Sequence, residues 1–118
     1  MGAFRIGVCN LERAFAYICA PAKSSNRSLR RYCRKVYDLG YIPICPVLTE
    51  PQYLDSKNPE EQTDLHNIAR QKLARCRMLV VCGPEISQSM SMEIATAEKY
   101  HLVCTTLDGL AAVRGGEE

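Results

Sequence analysis

The sequence predicts an α/β domain in which a mostly parallel sheet of four to five strands is covered by helices on both faces. Three observations carry that expectation. Short runs that are apolar nearly throughout, at residues 14–20, 41–45, 78–83 and 102–106, alternate with longer segments whose apolar residues recur at helical spacing. None of these runs shows the in–out alternation of a strand with one wet face, so each reads as a strand covered on both sides. The chain has 118 residues, enough for one core and too few for two.

The first run, AFAYICA, stops at Pro21. A polar turn follows, and Asn26 is a suitable N-cap for a helix carrying Leu29, Cys33, Val36 and Leu39 on one stripe, with Gly40 as its stop. The second run, YIPIC, contains Pro43, which has no backbone N–H to give to a ladder; this strand is therefore at an edge or interrupted. Residues 46–57 read as a polar loop. Asn58-Pro59-Glu60-Glu61 then supplies an N-cap, a proline at the first helical position and acids in the first turn of a helix running to about Arg75. After the third run, residues 89–100 form a helix with Met90, Ile94, Ala97 and His101 in one stripe, and the fourth run closes the pattern. Residues 107–118 end in Gly115-Gly116-Glu117-Glu118 and read as a frayed tail. Residues 1–13 are a lead-in, in which Ile6 to Cys9 either add an edge strand or merely approach the domain. The order β-α-β-loop-α-β-α-β, with right-handed crossovers, gives a single doubly wound, Rossmann- or flavodoxin-like domain over 1–118.

Net charge is +2, with acids and bases spread along the chain, so neither a nucleic acid nor a membrane is expected as partner. Arg27, Arg30, Arg31, Arg34 and Lys35 make one helix locally basic; a solvated face explains them more cheaply than a nucleic-acid footprint. No apolar stretch approaches the ~20 residues of a membrane span. The seven cysteines contain no C-x-x-C, and His66 and His101 stand at no ligand spacing to them, so no metal and no cofactor is expected. Six of them fall within strand runs or on apolar helix faces, where a thiol serves as a small hydrophobe. With no leader segment discernible, the expectation is a reduced, cytoplasmic setting.

In a doubly wound sheet, ligands bind beyond the carboxyl ends of the strands, which singles out the loops at 20–26, 45–57 and 83–93. None holds a G-x-G-x-x-G or a P-loop. In the third, Ser87, Ser89 and Ser91 alternate across a helix start, where free N–H groups and the helix dipole favour an anion. Two readings fit: hydroxyls that hold a phosphate or carboxylate, or one N-cap with exposed neighbours. Glu93, in the first two turns, is either a functional carboxylate or a plain complement to the dipole. Tyr17 lies in an otherwise apolar central strand and needs a partner for its hydroxyl, either a carboxylate from the third loop or a backbone carbonyl. Lys23, Ser24 and Ser25 form a polar lip beside it. The distance between the Tyr17 hydroxyl and the Glu93 carboxylate separates these possibilities.

Several segments together resemble a known group. Tyr17-Ile18-Cys19-Ala20-Pro21, Arg31-Tyr32-Cys33-Arg34, Gly40 through Pro46, Pro51-Gln52-Tyr53-Leu54-Asp55, Asn58-Pro59-Glu60-Glu61, and Ile86-Ser87 through Met90 to Glu93-Ile94 resemble the DUF4406-type small proteins of bacteria and phages. That group is itself similar to the nucleoside 2-deoxyribosyltransferases. The resemblance implies Glu93 as the nucleophile at an N-glycosidic bond and Tyr17 as its hydroxyl neighbour. It also implies Ser87, Ser89, Ser91, Ser24 and Asp55 as substrate contacts, a nucleoside or nucleotide as the small-molecule partner, and a homo-oligomer, a dimer. The sequence departs from the pattern in one respect. Where the transferases carry an aspartate ahead of the nucleophile, this chain reads Arg77-Met78 and Gly83-Pro84-Glu85, and the group's acid–glycine pair and basic residue read Gln88-Ser89 and Ser91. Only Glu85 or Asp55 remains to protonate a departing base. Three functions are therefore open: an N-glycosidase or deoxyribosyltransferase-like enzyme, a non-catalytic module binding a nucleotide or small anion in the same cleft, and a protein whose cleft is vestigial and whose role is in assembly.

Overall fold

The structure, a computed structural model, describes residues 12–116; Ile6 to Cys9 lie outside them. Among the described residues the sheet has four strands, β1 (Phe15–Cys19), β2 (Ile42–Ile44), β3 (Met78–Val81) and β4 (Val103–Thr106), ordered β2-β1-β3-β4. Every pairing is parallel. The sheet is joined by helices α1 (Asn26–Asp38), α2 (Pro46–Thr49), α3 (Pro59–Ala74), α4 (Gln88–Lys99) and α5 (Leu107–Gly116). The expected doubly wound α/β architecture is what the chain adopts.

Its centre is β1, which pairs through Tyr17 with Ile44 on one side and Leu79 on the other. Successive side chains point to opposite faces. Ala16 and Ile18, with Val80, pack against Leu29 and Val36 of α1 and Leu107 and Leu110 of α5. Tyr17 and Cys19, with Leu79, pack against Leu73 of α3 and Met90 and Ala97 of α4. Pro43 lies on an edge strand, as its missing N–H requires.

Helix termini follow local chemistry. Asn58 accepts from the N–H groups of Glu60 and Glu61 to start α3. Gly40, at φ 102, ends α1 with its N–H on Tyr37 and that of Tyr41 on Val36, the paired bonds of a Schellman motif. The same device closes α4, where His101 takes the left-handed position at φ 63 and Leu102 N–H reaches Ala97. His101 is therefore exposed and outside the helix, and does not continue the stripe of Met90 and Ala97. At α1 the cap is Ser25, whose hydroxyl accepts from Ser28 N–H, and Asn26 is the first helical residue.

Two further expectations are corrected. Residues 46–57 are not a featureless polar loop. Pro46 opens α2, a 3-10 turn follows at Glu50–Gln52, and Glu50 is buried against Lys72 Nζ at 2.7 Å and Thr49 Oγ1 at 2.9 Å. This ion pair fastens the segment to α3. Residues 107–116 are not a frayed tail but helix α5: the Thr106 hydroxyl accepts from Gly109 N–H at 2.9 Å, capping it, and Leu107 and Leu110 enter the core. Since Leu110 is buried, Leu110→Ala is expected to lower unfolding free energy by about 2–3 kcal/mol in urea titration. A loss below about 0.5 kcal/mol would place α5 outside the cooperative unit.

Candidate functional site

Strand order reverses between β1 and β3: the chain leaves β1 toward β2 and leaves β3 toward β4. The loops after these strands, residues 20–25 and 82–87, therefore depart to opposite faces of the sheet, the switch point at whose carboxyl edge doubly wound folds form their ligand crevice. They meet at Gly83, whose φ is 95 and where a Cβ would stand 3.1 Å from Pro21 Cδ and 3.5 Å from the Tyr32 hydroxyl. Only glycine fits this close approach without strain.

On the α4 side of the crevice, the Tyr17 hydroxyl donates to Glu93 Oε2 at 2.8 Å. Both side chains are placed by regular structure. Tyr17 is the middle residue of β1 and 1% exposed. Glu93 falls one turn after Met90 and one before Ala97, on the stripe that packs on the sheet, and is half-buried. An acid in an apolar stripe is the signal of an unusual carboxylate. Burial holds Glu93 above the usual carboxylate range, while hydrogen bonds from Tyr17 and the Cys19 thiol pull partly back. Burial, then the negative charge of Glu93, pushes the Tyr17 phenol up, so it stays protonated. The same two causes keep Cys19 a neutral thiol.

The other candidate residues divide. The Ser87 hydroxyl caps α4 through Met90 N–H at 3.4 Å and lies 3.1 Å from the Ser89 hydroxyl; its N-cap role is real. Ser89 and Ser91 are exposed at the same helix start. Ser24, half-buried, sits in the loop after β1 with its N–H on Pro21. Asp55 is not brought to the pair: its carboxylate accepts from Lys57 N–H and its own N–H donates to Glu61, contacts within its loop and the start of α3. Glu85 is exposed. Among the described residues, no second carboxylate acts on Tyr17 or Glu93. Cys19 is the residue that sequence reasoning passed over. It stands two positions after Tyr17, hence on the same strand face, and that spacing was the available signal.

Among the described residues all six cysteines are free, and no three His, Cys, Asp or Glu side chains converge to hold a metal ion. No helix among them is long and apolar enough to cross a membrane. A hollow of about 410 Å³ lined by Glu12, Arg13, Arg75 and Arg77 lies at the amino end of β1, the opposite edge from the crevice.

A carboxylate that titrates above its unfolded value favours folding in its neutral form. That stability is complete below the unfolded pKa and is lost as pH rises through the folded one. Glu93→Gln keeps an acceptor for Tyr17 and removes the charge. It is expected to stabilise the fold at neutral pH by about 0.5–2 kcal/mol, with the gain fading toward about pH 4 in thermal unfolding. Equal effects at both pH values would contradict the raised pKa.

A comparison with curated proteins finds no match. Among solved structures, a 2-deoxyribosyltransferase from the psychrotolerant bacterium Bacillus psychrosaccharolyticus is similar, with a TM-score of 0.66 over 79% of this chain and 71% of that one, at 12% identity. At this identity the likeness is one of fold. The family whose model matches is DUF7768, a domain of unknown function, over residues 14–106, and not the DUF4406-type group expected from the sequence. The match covers β1 through β4, the whole sheet and the crevice, and on that extent the chain belongs to the DUF7768 family.

Proposed function

We propose that this protein cleaves or transfers across the N-glycosidic bond of a nucleoside or nucleoside 5′-monophosphate, with Glu93 as nucleophile and Tyr17 as its positioning partner. The observation that carries the reading is the 2.8 Å hydrogen bond between them at the switch-point crevice. A fold similar to a 2-deoxyribosyltransferase supports it. The Tyr17 proton occupies Oε2, which orients the carboxylate and leaves Oε1 to attack or shield the anomeric carbon as positive charge develops there. Ser24, Ser89 and Ser91 are the proposed contacts to sugar or phosphate, with Ser87 holding the helix start. Water or a second base completes the reaction at the anomeric carbon. No cofactor is required by this chemistry.

Protonation of the departing base falls to Glu85 or to solvent. Because a positioned general acid contributes on the order of 10²–10⁴ in rate, a slow enzyme is expected. That missing acid also favours a second reading, a non-catalytic module that binds a nucleotide or similar small anion in the same crevice. A homodimer and cytoplasmic residence belong to the same proposal; light scattering on the purified protein checks the first.

Incubation with a panel of deoxynucleosides and their 5′-monophosphates, followed by chromatography for free base, is the test. Wild type is expected to release base, Glu93→Ala to lose at least about 10³-fold, and Tyr17→Phe about 10- to 100-fold. The rate should rise with pH through a midpoint above the ordinary carboxylate range, since the nucleophile must be ionised and burial raises its pKa. Base release undiminished in Glu93→Ala would refute the nucleophile. A nucleotide-induced rise in melting temperature without base release would instead select the binding module.

A further inference from the structure

Helix α1 carries Arg27, Arg30, Arg31, Arg34 and Lys35 against the single acid Asp38, a larger positive charge than the +2 of the whole chain. All five bases are exposed. The helix is fixed from its other side by Leu29 and Val36, which are buried with Tyr32 and Cys33 packed beside them. Arg27 has Arg30 and Arg31 as helical neighbours, Arg34 has Arg30 and Arg31, and Arg31 also has Lys35. Each of these like-charge pairs weakens the helix. Arg27 moreover stands in the first turn, where a cation opposes the dipole and no acid offsets it. Among the described residues, the one ion pair on this helix is Arg34 with Asp38 at 3.1 Å. Solvation accounts for scattered cations, but a helix set against itself in this way breaks a local rule, as functional surfaces do.

The basic face continues past the helix. Arg13 lies over the Tyr37 ring at 4.5 Å and donates from Nη1 to the Tyr37 carbonyl at 2.9 Å, and Arg34 lies over the same ring at 5.4 Å. A guanidinium held in this way is already ordered, so it gives up less freedom when its remaining donors take a ligand. Arg13 also lines the hollow of about 410 Å³ at the amino end of β1, together with the exposed Arg75 and Arg77. One cationic track thus runs from the face of α1 to the amino edge of the sheet, opposite the crevice. Arginines four residues apart on α1 stand about 6 Å apart along its axis, close to the step between successive phosphates of a nucleic-acid strand.

We propose that this track binds a nucleic-acid strand through its phosphodiester backbone, without reading sequence. Seven of its eight bases are arginines, whose planar fork matches phosphate oxygens two at a time. A membrane surface fits less well, because α1 turns its apolar face into the core and Tyr37 is its one exposed large apolar side chain. The expectation of no nucleic-acid partner rested on net charge, which averages over the whole surface; a strand responds to the local field. The track stands apart from Glu93 and Tyr17, so the proposal does not depend on the chemistry of the crevice.

The test is fluorescence anisotropy of the full chain with a short labelled DNA strand of mixed sequence, its RNA counterpart and its DNA duplex. Wild type is expected to saturate at least one probe below about 100 µM protein at about 50 mM salt, with a log–log salt slope of about −3 to −5. Arg27→Gln combined with Arg31→Gln should weaken binding about tenfold and reduce the slope by about 2. This variant should melt no lower than wild type, because repelling pairs are lost. Arg77→Gln, outside the helix, should reduce the slope by about 1 and carries the test alone if the double variant does not fold. Lys57→Gln combined with Lys99→Gln removes the same charge away from the track and should bind as wild type does. Saturation of the DNA, RNA or duplex probe supports the proposal in each case, and the tightest names the strand. No saturation of any probe, an equal loss in the Lys57 and Lys99 variant, or an unchanged slope in the track variants would overturn it. So would binding to phosphatidylserine vesicles, or stabilisation by inorganic phosphate, in place of binding to a strand.

Discussion

A central strand with no wet face governs this molecule. Every side chain from Ala16 to Ala20 is buried, so the backbone of β1 must be paired on both edges and both of its faces must be roofed by helices. α1 and α5 roof one face and α3 and α4 the other. Any polar atom admitted to that strand has to find its partner inside the protein, because leaving a buried donor unmade costs about 1–3 kcal/mol. Tyr17 is such an atom's carrier, and the partner comes from the roofing helix. The contact between β1 and α4 is thus required by burial before it is available for chemistry.

The same constraint explains the electrostatics of the crevice. Glu93 stands where α4 would otherwise present an apolar residue to the sheet, between Met90 and Ala97. Its charge is offset by two neutral donors and not by a cation, which leaves it above its ordinary titration range. A guanidinium or ammonium partner would stabilise the charge more and draw the carboxyl back toward or below its ordinary range. Glu50 shows the contrasting solution in the same fold. It is buried beside Lys72, and its ion pair serves to hold a segment in place.

Much of this was legible in the residues. Continuous apolar runs gave four strands, Pro43 put β2 at an edge, and Asn58-Pro59 marked the start of α3, since each of these signals is local and strong. α2 and its 3-10 turn span too few residues to show a period, and the burial of Glu50 depends on Lys72, 22 positions away. α5 was hidden by a terminus rich in glycine, while its cap, Thr106, was read only as the end of a strand. Tyr17 and Glu93 could be named from sequence, but their meeting across 76 positions is a product of topology. Asp55 is held by local contacts, its carboxylate accepting from Lys57 N–H within its own loop, a turn that residue identity alone does not reveal. Cys19 was set aside as a small hydrophobe, a description that is true of its volume and silent on its proton.

The contact at Gly83 reaches further than its size suggests. Because the two crevice loops touch there almost backbone to ring, with no side chain interposed from Gly83, their separation is set by the spacing of β1 and β3 in the sheet. The crevice floor behaves as a fixed gauge. Substitutions at the neighbouring polar positions of these loops and of the α4 start can change the local chemistry without changing that separation. A change at Gly83 would do the reverse, prying the two lips apart while leaving every polar group in place. Surface chemistry and loop spacing are in this way set by different residues, and one can drift while the other is held.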